Sequence, residues 1–269
     1  MAVMDELPQI ADGVRVETSD RVMRITLCSP DNRNAQTPAL WRRLAQAGEF
    51  AAETGIDVVL LAAEGPSFSA GLDRRMFTPE GIPGEGSLVE LTAAPDAEID
   101  AVIAQYQHGF SVFTDGPFVS IALVQGHAVG AGFQLALACD LILCADDAQF
   151  SMREASYGLV PDLTGTSRLT RTVGYQRAMD ICLTTRWVVA EEVRNLGLAV
   201  DVRPVAELAA AGDELAAGLA GAVPGTARDM KSLLRAAEIR SPREQRDMER
   251  LTQIRRLRTL AELAAAAGS

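Results

Sequence analysis

The alternation of apolar and polar positions predicts an α/β core in the first two hundred residues. In "VRVETSDRVMRITLCSPD", Met23, Ile25 and Leu27 alternate with polar residues, which is the period of a half-buried strand in a hairpin. Three continuous apolar runs of strand length follow, "DVVLLAAEG", "FVSIALVQG" and "LILCA", with the shorter "AQFSM" as a fourth strand. Continuous runs are typical of strands that are covered on both faces. Because strands recur with helices between them, the core is predicted to be α/β.

The segment "TPALWRRLAQAGEFAAETG" predicts the first of the intervening helices. Thr37 can cap its start, Pro38 suits the first helical position, and Gly55 can end it. A stripe of apolar residues at helical spacing should face the core. It consists of Leu40, Leu44, Ala47 and Ala51.

Two later changes in pattern divide the chain. The segment between Phe77 and Ile99 is rich in Gly, Pro and Glu and is about twice as long as a usual connection. These features predict a lid or a surface loop. After Val205 the strand signals stop, and the remaining stretches are helical and rich in Ala and Leu. We therefore expect an α/β region over residues 1–204 and a C-terminal helical region over residues 205–269.

Composition and charge narrow the function classes. With 269 residues, 48% of them apolar, the chain can bury a substantial core, and a formal net charge of −11 argues against nucleic acid as a partner. Having only two histidines argues against a histidine-rich metal site, and four cysteines without a C-x-x-C pair are predicted to be buried free thiols. No apolar run reaches the ~18 residues of a membrane span, and the acidic N-terminus lacks a signal pattern, so a cytoplasmic protein is expected.

The stretch "HAVGAGFQLALACD" places a glycine-rich turn between a strand and a helix. Gly130 and Gly132 flank Ala131, and glycines at such a turn let the backbone approach a ligand closely. The first turn of a helix leaves N–H donors unpaired and carries partial positive charge. The stretch can therefore bind an anion or a developing oxyanion, although glycines also serve tight turns without any ligand.

A second stretch, "GPSFSAGLDRRMF", repeats this arrangement. A turn of small residues, Ser69 to Asp73, follows the predicted strand over residues 57–63 and leads into a predicted helical turn. One N–H donor from each of the two turns could converge on a single carbonyl oxygen.

Four segments together resemble the crotonase superfamily, the enoyl-CoA hydratase/isomerase family. They are "SPDNRNAQTPAL", "FSAGLD", "VQGHAVGAGFQLALACD" and "AQFSMREASYGLVPDLTGTSRL", and the similarity runs in order from about Val14 to about Pro204. The resemblance implies the crotonase (ClpP/crotonase-like) spiral of ββα units, with two near-perpendicular sheets and a C-terminal helical region. It also implies assembly as a homotrimer or a dimer of trimers, with the C-terminal region contributing to assembly and to part of the coenzyme site.

The resemblance implies an unsaturated acyl thioester substrate, with coenzyme A as part of the substrate and no tightly bound cofactor. The backbone N–H groups of Leu72 and Ala131 match the family's oxyanion hole. Two aimed donors stabilise the enolate that forms when a proton leaves the carbon beside a thioester carbonyl, each contributing ~3 kcal/mol.

The family's hydratases use two glutamates, which match Gln134 and Glu154, and only Glu154 is kept here. Glutamine takes no proton at neutral pH, so hydration by two carboxylates is in doubt. Asp162, eight residues after Glu154, completes a Glu/Asp pair that resembles dienoyl-CoA isomerases. A 1,3-proton shift needs one base that returns the proton to another carbon, so isomerisation fits the remaining carboxylates best.

Structural interpretations of these carboxylates stay open. Glu154 could pair with Arg153 or Arg168, and Asp162 could cap the helix predicted in "LTGTSRLTRTVG". We interpret His127 as a packing residue and Asp140 as structural.

The phosphates of coenzyme A need cations, and arginine suits phosphate because its donors form a fork. The resemblance points to Arg33, to Arg74 and Arg75, and to Lys231 on a C-terminal helix, with adenine against the backbone. The predicted coenzyme-binding set is Arg33, Ala35, Ala70, Asp73, Arg74 and Lys231.

Other functions on the same scaffold remain possible from the sequence. They are thioester hydrolysis, decarboxylation, and dehalogenation with Asp162 near the nucleophile position. Because Gln134 replaces an acid, a non-catalytic acyl-CoA-binding protein is a further alternative.

Overall fold

The computed structural model describes residues 9–267, and the first eight residues of the segment interpreted as lacking a signal pattern lie outside the described residues. The strands are β1 (Ile10–Ala11), β2 (Val14–Ser19), β3 (Val22–Leu27), β4 (Val58–Ala63), β5 (Val119–Val124), β6 (His127–Val129), β7 (Leu141–Ala145), β8 (Gln149–Ser151), β9 (Val188–Val189) and β10 (Asp201–Arg203). The helices are α1 (Pro38–Thr54), α2 (Leu88–Leu91), α3 (Asp96–Asp115), α4 (Ala131–Ala138), α5 (Gly165–Val173), α6 (Tyr175–Thr184), α7 (Ala190–Asn195), α8 (Val205–Ala220), α9 (Thr226–Ala236) and α10 (Pro242–Ala267).

The strands form two sheets. A seven-stranded sheet has the order β1-β2-β3-β4-β5-β7-β10, and a three-stranded sheet has the order β6-β8-β9. The predicted hairpin is confirmed, because β2 pairs with β3 antiparallel. The neighbouring strands β3, β4, β5, β7 and β10 of the large sheet pair in parallel. The apolar run of β4 is explained by two separate cores, since Val59 and Leu61 pack into one cluster and Val58 and Leu60 into another.

Helix α1 begins and ends where the sequence predicts. The Thr37 side chain accepts a hydrogen bond from the Leu40 N–H at 3.2 Å, and Gly55 closes the helix in the left-handed region at φ 78°. The whole predicted stripe is buried. Helix α1 therefore fixes one wall against which α3 packs.

The segment between Phe77 and Ile99 is more ordered than predicted. It contains α2, whose first turn is capped by the Ser87 side chain through the Glu90 N–H at 2.9 Å, and α3 already begins at Asp96. The prediction of a loop is therefore wrong for part of the segment, because α2, with 4 residues, is too short to show an apolar period, and only the first turn of α3 falls inside the segment. The strands β9 and β10 were missed for the same reason, since two or three residues are too few to show an alternation.

The first helix of the C-terminal region, α8, shares a core with the large sheet. Leu208 and Ala216 of α8 pack into the same cluster as Val58 and Leu60 of β4. None of the helices in the described range combines the length and the apolar character that crossing a bilayer requires. The division at residues 204 and 205 stays a prediction.

The cysteine prediction is half right. Cys139 and Cys144 are buried, and burial raises the pKa of each thiol to about 12. Cys28 and Cys182 are only half-buried. All four are free thiols, and a raised pKa keeps the two buried ones in the unreactive protonated form.

Lys231 of α9 is a structural anchor, which corrects its prediction as a coenzyme ligand. Its Nζ atom lies 2.7 Å from an Asp140 carboxylate oxygen and donates at 2.8 Å to the carbonyl oxygens of Phe113 and Phe118. The side chain is buried, because these three acceptors draw it into the core. Asp140 also accepts from the Ser120 N–H and hydroxyl, which agrees with a structural role.

Lys231→Met should lower the free energy of unfolding by about 3 kcal/mol, because it leaves the Asp140 carboxylate without its cation. The matched control is Arg235→Met on the same helix, where an exposed ion pair with Asp115 is worth less than about 1 kcal/mol. Urea unfolding at fixed protein concentration measures both variants. Equal losses for the two variants would contradict the anchoring role.

Candidate active site

The two glycine-containing turns lie against each other. The Ser69 N–H donates to the His127 carbonyl at 2.9 Å, and the Val129 N–H donates to the Ser69 carbonyl at 3.0 Å. A side chain on Gly71, which has φ 86°, would place its Cβ 2.4 Å from the Val129 carbonyl oxygen. A Cβ on Gly132 would lie 2.6 Å from the Ser69 carbonyl oxygen, so both glycines are needed for the close approach.

The N–H groups of Leu72 and Ala131 are unpaired in this arrangement. No acceptor within residues 9–267 receives a hydrogen bond from either N–H group. Ala131 is the first residue of α4, and the position of a Gly71 Cβ would be only 3.6 Å from its nitrogen. Both residues line one cavity, so both N–H groups are available to a ligand bound there.

That cavity has a volume of about 640 Å³ and brings together the predicted catalytic residues. It is bounded by the two turns on one side and by α2, α3 and the segment after β8 on the others. Leu72, Ala131, Glu154 and Asp162 all line it, as do Ala70 and Arg74. The fold therefore collects six predicted residues from distant parts of the chain at one place.

Glu154 presents one unpaired carboxylate oxygen. Its Oε1 atom accepts a hydrogen bond from Gln134 Nε2 at 2.7 Å, whereas Oε2 is hidden from solvent and has no hydrogen-bond partner among the described residues. Burial raises the pKa of this carboxyl, and the Gln134 hydrogen bond opposes the rise. A partly desolvated carboxylate with one free oxygen is suited to accept a proton.

Neither arginine considered as a partner pairs with Glu154. The Arg153 guanidinium lies 4.8 Å from the centre of the Trp187 ring, and Arg168 donates to the Asp140 carbonyl. The ion-pair interpretation of Glu154 is therefore wrong, because both cations are directed to other groups.

Gln134 is held in a single orientation by its two neighbours. It is fully buried, its Nε2 donates to Glu154, and its Oε1 accepts from the Leu163 N–H at 2.8 Å. The amide suits this position because one end must donate and the other must accept. Gln134 therefore positions the Glu154 carboxylate and links it to the segment that carries Asp162.

Asp162 does not cap a helix, because α5 begins at Gly165, directly after Thr164. Its backbone carbonyl accepts a hydrogen bond from Gln107 Nε2 at 2.6 Å, and its carboxyl lines the cavity. Burial raises the pKa of Asp162, and its negative charge in turn raises the pKa of Glu154. The two carboxyls therefore interact electrostatically.

The coenzyme-binding predictions separate into two groups. Arg33 and Arg74 are exposed and form no ion pair with any residue of the described range, so both are available to phosphate. Asp73, in contrast, accepts from Arg75 at 2.8 Å and caps the turn Arg74–Phe77 through the Arg75 N–H. We therefore correct the prediction that Asp73 binds the coenzyme, because its carboxylate orders this turn.

The backbone near the predicted adenine position is partly used. The Ala35 N–H donates to the Asn32 side chain at 3.2 Å, and the Ala70 N–H donates to the Arg33 carbonyl at 2.9 Å. Recognition of adenine there would depend on groups other than these two donors. The position of His127 agrees with a packing role, because its ring packs edge-on with that of Trp187, with ring centres 5.5 Å apart.

Sequence reasoning missed the apolar wall of the cavity. Trp41 of α1 packs on Tyr106 of α3 with ring centres 4.8 Å apart, and both line the cavity. Ile99, Ile103 and Tyr106 are spaced by four and three residues, which is a helical stripe that could have been recognised from the sequence. The sequence could not show that this stripe faces the cavity and not a closed core.

Comparison with known proteins gives the family of this chain. The family model for enoyl-CoA hydratase/isomerase matches residues 17–255. The chain belongs to this family. The predicted crotonase fold is thereby confirmed, since the similar solved structures share it.

Individual proteins similar to this chain, both solved structures and sequence relatives, carry names from the same family. A crystal structure of a Thermobifida fusca YX protein in complex with acetoacetyl-CoA is similar at TM-score 0.87 and 43% identity, covering 91% of this chain and 94% of that one. A Rhizobium meliloti (strain 1021) protein named "Probable enoyl-CoA hydratase" is 33% identical over 68% of this chain. The human mitochondrial Delta(3,5)-Delta(2,4)-dienoyl-CoA isomerase is 28% identical over 73% of this chain. The matched region spans 65% and 60% of the lengths of these last two proteins.

Proposed function

We propose that this protein is an enzyme that isomerises the double bond of an unsaturated acyl-CoA. The observation that carries the proposal is that Glu154, whose carboxylate has one oxygen without a hydrogen-bond partner among the described residues, lines the same cavity as Leu72 and Ala131 with their unpaired N–H groups. Coenzyme A enters as part of the substrate, as the acetoacetyl-CoA complex of the Thermobifida protein supports. The exposed cations Arg33 and Arg74 are proposed to bind its phosphates.

The proposed reaction on a 3-enoyl thioester uses Leu72, Ala131 and Glu154. The thioester oxygen accepts hydrogen bonds from the Leu72 and Ala131 N–H groups, and Glu154 Oε2 removes a proton from C2. The electron pair of the broken C–H bond forms the dienolate, and the negative charge rests on the thioester oxygen. Glu154 then returns the proton to C4, which leaves the double bond between C2 and C3 and restores the carboxylate.

Hydration is disfavoured by the surroundings of Gln134. A second carboxylate would be needed to handle the proton of an attacking water, and the buried amide at this position only positions Glu154. Asp162 is proposed as a second acid that can protonate a more distant carbon of a dienoyl substrate. The dienoyl-CoA isomerase among the relatives supports this role.

Product analysis with 2-enoyl, 3-enoyl and 3,5-dienoyl thioesters of coenzyme A tests the proposal. We expect double-bond migration of 3-enoyl-CoA, with deuterium carried from C2 to C4 of a C2-deuterated substrate, and little hydration of 2-enoyl-CoA. Hydration as the main reaction would contradict it. A covalent adduct on Asp162 would instead favour dehalogenation, free coenzyme A would favour hydrolysis, loss of CO₂ would favour decarboxylation, and tight binding without turnover would favour a carrier.

Gln134→Glu should move the acid limb of the kcat/KM profile for isomerisation to higher pH. Two carboxylates placed 2.7 Å apart would share one proton, which raises the pKa of Glu154 further. Glu154 must be ionised to act, so activity is lost as the pH falls through this pKa, and a higher pKa moves the loss upward. The control is Gln105→Glu, an exposed position of α3. An unchanged acid limb would argue against Glu154 as the base.

We propose that the chain assembles as a homotrimer or a dimer of trimers in the cytoplasm. Support comes from α10, which exposes five large apolar side chains along its length, and burial of exposed apolar area favours association. The exposed residues are Leu251, Ile254, Leu257, Leu260 and Leu263. Light scattering after size-exclusion chromatography tests this proposal, and a monomer would overturn it.

A further inference from the structure

The part of the cavity wall that α1, α2 and α3 form is apolar. Trp41, Leu88, Leu91, Ile99 and Ile103 line it. From this wall we infer that the acyl group is uncharged and mainly apolar and has well over four carbons. The inference rests on the proposed function for the site, and it adds the class of acyl group.

The size of the cavity exceeds what a short acyl group needs. If a methylene takes roughly the ~30 Å³ that a water molecule takes in the liquid, four carbons fill about 120 Å³. The cavity measures about 640 Å³. Four carbons would therefore fill less than about a fifth of the cavity, which leaves room for a longer acyl chain beside the thioester.

The charges around the cavity disfavour an acyl group that ends in a carboxylate. The two arginines that line the cavity are Arg74, two residues after Leu72, and Arg153, directly before Glu154, whereas the lining residues of α2 and α3 include no cation. Behind Tyr106, Arg42 is already paired with Glu85, whose carboxylate accepts from Nη1 at 2.9 Å. A carboxylate at the apolar end would therefore lose its water without gaining a free cation.

Helix α2 offers a matched pair of positions for testing this wall. Leu88 lines the cavity and is half-buried, whereas its neighbour Val89 does not line it and is 44% exposed. Both positions lie in the first turn of α2, which Ser87 caps, so the two substitutions are made in the same local backbone structure. Leu88→Trp should shorten the cavity, and Val89→Trp should leave its volume unchanged.

The experiment compares the binding of butanoyl-CoA, decanoyl-CoA and the mono-CoA thioester of decanedioic acid by isothermal titration calorimetry. Each buried methylene strengthens binding about fourfold, so burial of only about three of the additional methylenes makes decanoyl-CoA bind at least about 50-fold more tightly than butanoyl-CoA. The decanedioic thioester should bind at least about tenfold more weakly than decanoyl-CoA. Leu88→Trp should reduce the decanoyl-CoA affinity about tenfold without changing that of butanoyl-CoA, and Val89→Trp should change neither.

These outcomes separate the acyl class from the proposed reaction. Equal affinity for butanoyl-CoA and decanoyl-CoA, stronger binding of the decanedioic thioester, or no binding of any of the three overturns the inference. If the preference is found but no double bond migrates in any unsaturated ten-carbon thioester, the acyl class stands and the isomerase proposal falls. If migration is found without a length preference, the isomerase proposal stands alone.

Discussion

Glu154→Gln is expected to lower kcat for double-bond migration by about 10³-fold, within the range that general bases contribute. The amide cannot accept the C2 proton, whereas its size and its contact with Gln134 are nearly kept. Substrate affinity should change little, because we propose that the Leu72 and Ala131 N–H groups, and not Glu154, hold the thioester oxygen. Single-turnover kinetics and calorimetric binding of acyl-CoA measure the two quantities separately.

Glu53→Gln, on the exposed side of α1, is the control for Glu154→Gln and should leave kcat unchanged. Asp162→Asn, measured beside it, separates the two carboxyls of the cavity. If Glu154→Gln retains full turnover while Asp162→Asn abolishes it, Asp162 is the base and the assignment made here is wrong.

Gly71→Ala is expected to lower kcat about 10²-fold, which is the loss associated with one oxyanion-hole donor. The new Cβ would lie 2.4 Å from the Val129 carbonyl oxygen, so one of the two turns has to shift. Leu72 follows Gly71 directly, and its N–H would no longer aim at the thioester oxygen. Steady-state kinetics with 3-enoyl-CoA measures the loss.

Gly84→Ala is the matched control for the backbone cost. Gly84 has φ 80°, close to the 86° of Gly71, but a Cβ there meets nothing within 4 Å. Both variants therefore carry a similar strain from the left-handed conformation, and only Gly71→Ala carries the clash. If the two variants lose activity equally, the loss is due to folding and not to the oxyanion hole.

Much of this protein was determined by the sequence itself, because local patterns act over a few neighbouring residues. The alternation at Met23, Ile25 and Leu27 predicts β3, and Thr37 and Gly55 mark the ends of α1. The glycine-containing turns at residues 69–73 and 130–132 and the acids Glu154 and Asp162 could likewise be recognised from spacing and from resemblance to the family.

What only the tertiary structure decided is the partner of each polar group, because partners come from distant parts of the chain. The sequence cannot show that Lys231 reaches Asp140 or that Asp73 is bound to Arg75, and both had been predicted to bind the coenzyme. It also cannot show that Gln134 joins Glu154 to the Leu163 N–H. Charge and hydrogen-bonding capacity belong to the residue type, but which neighbour uses them depends on how the sheet and helices pack.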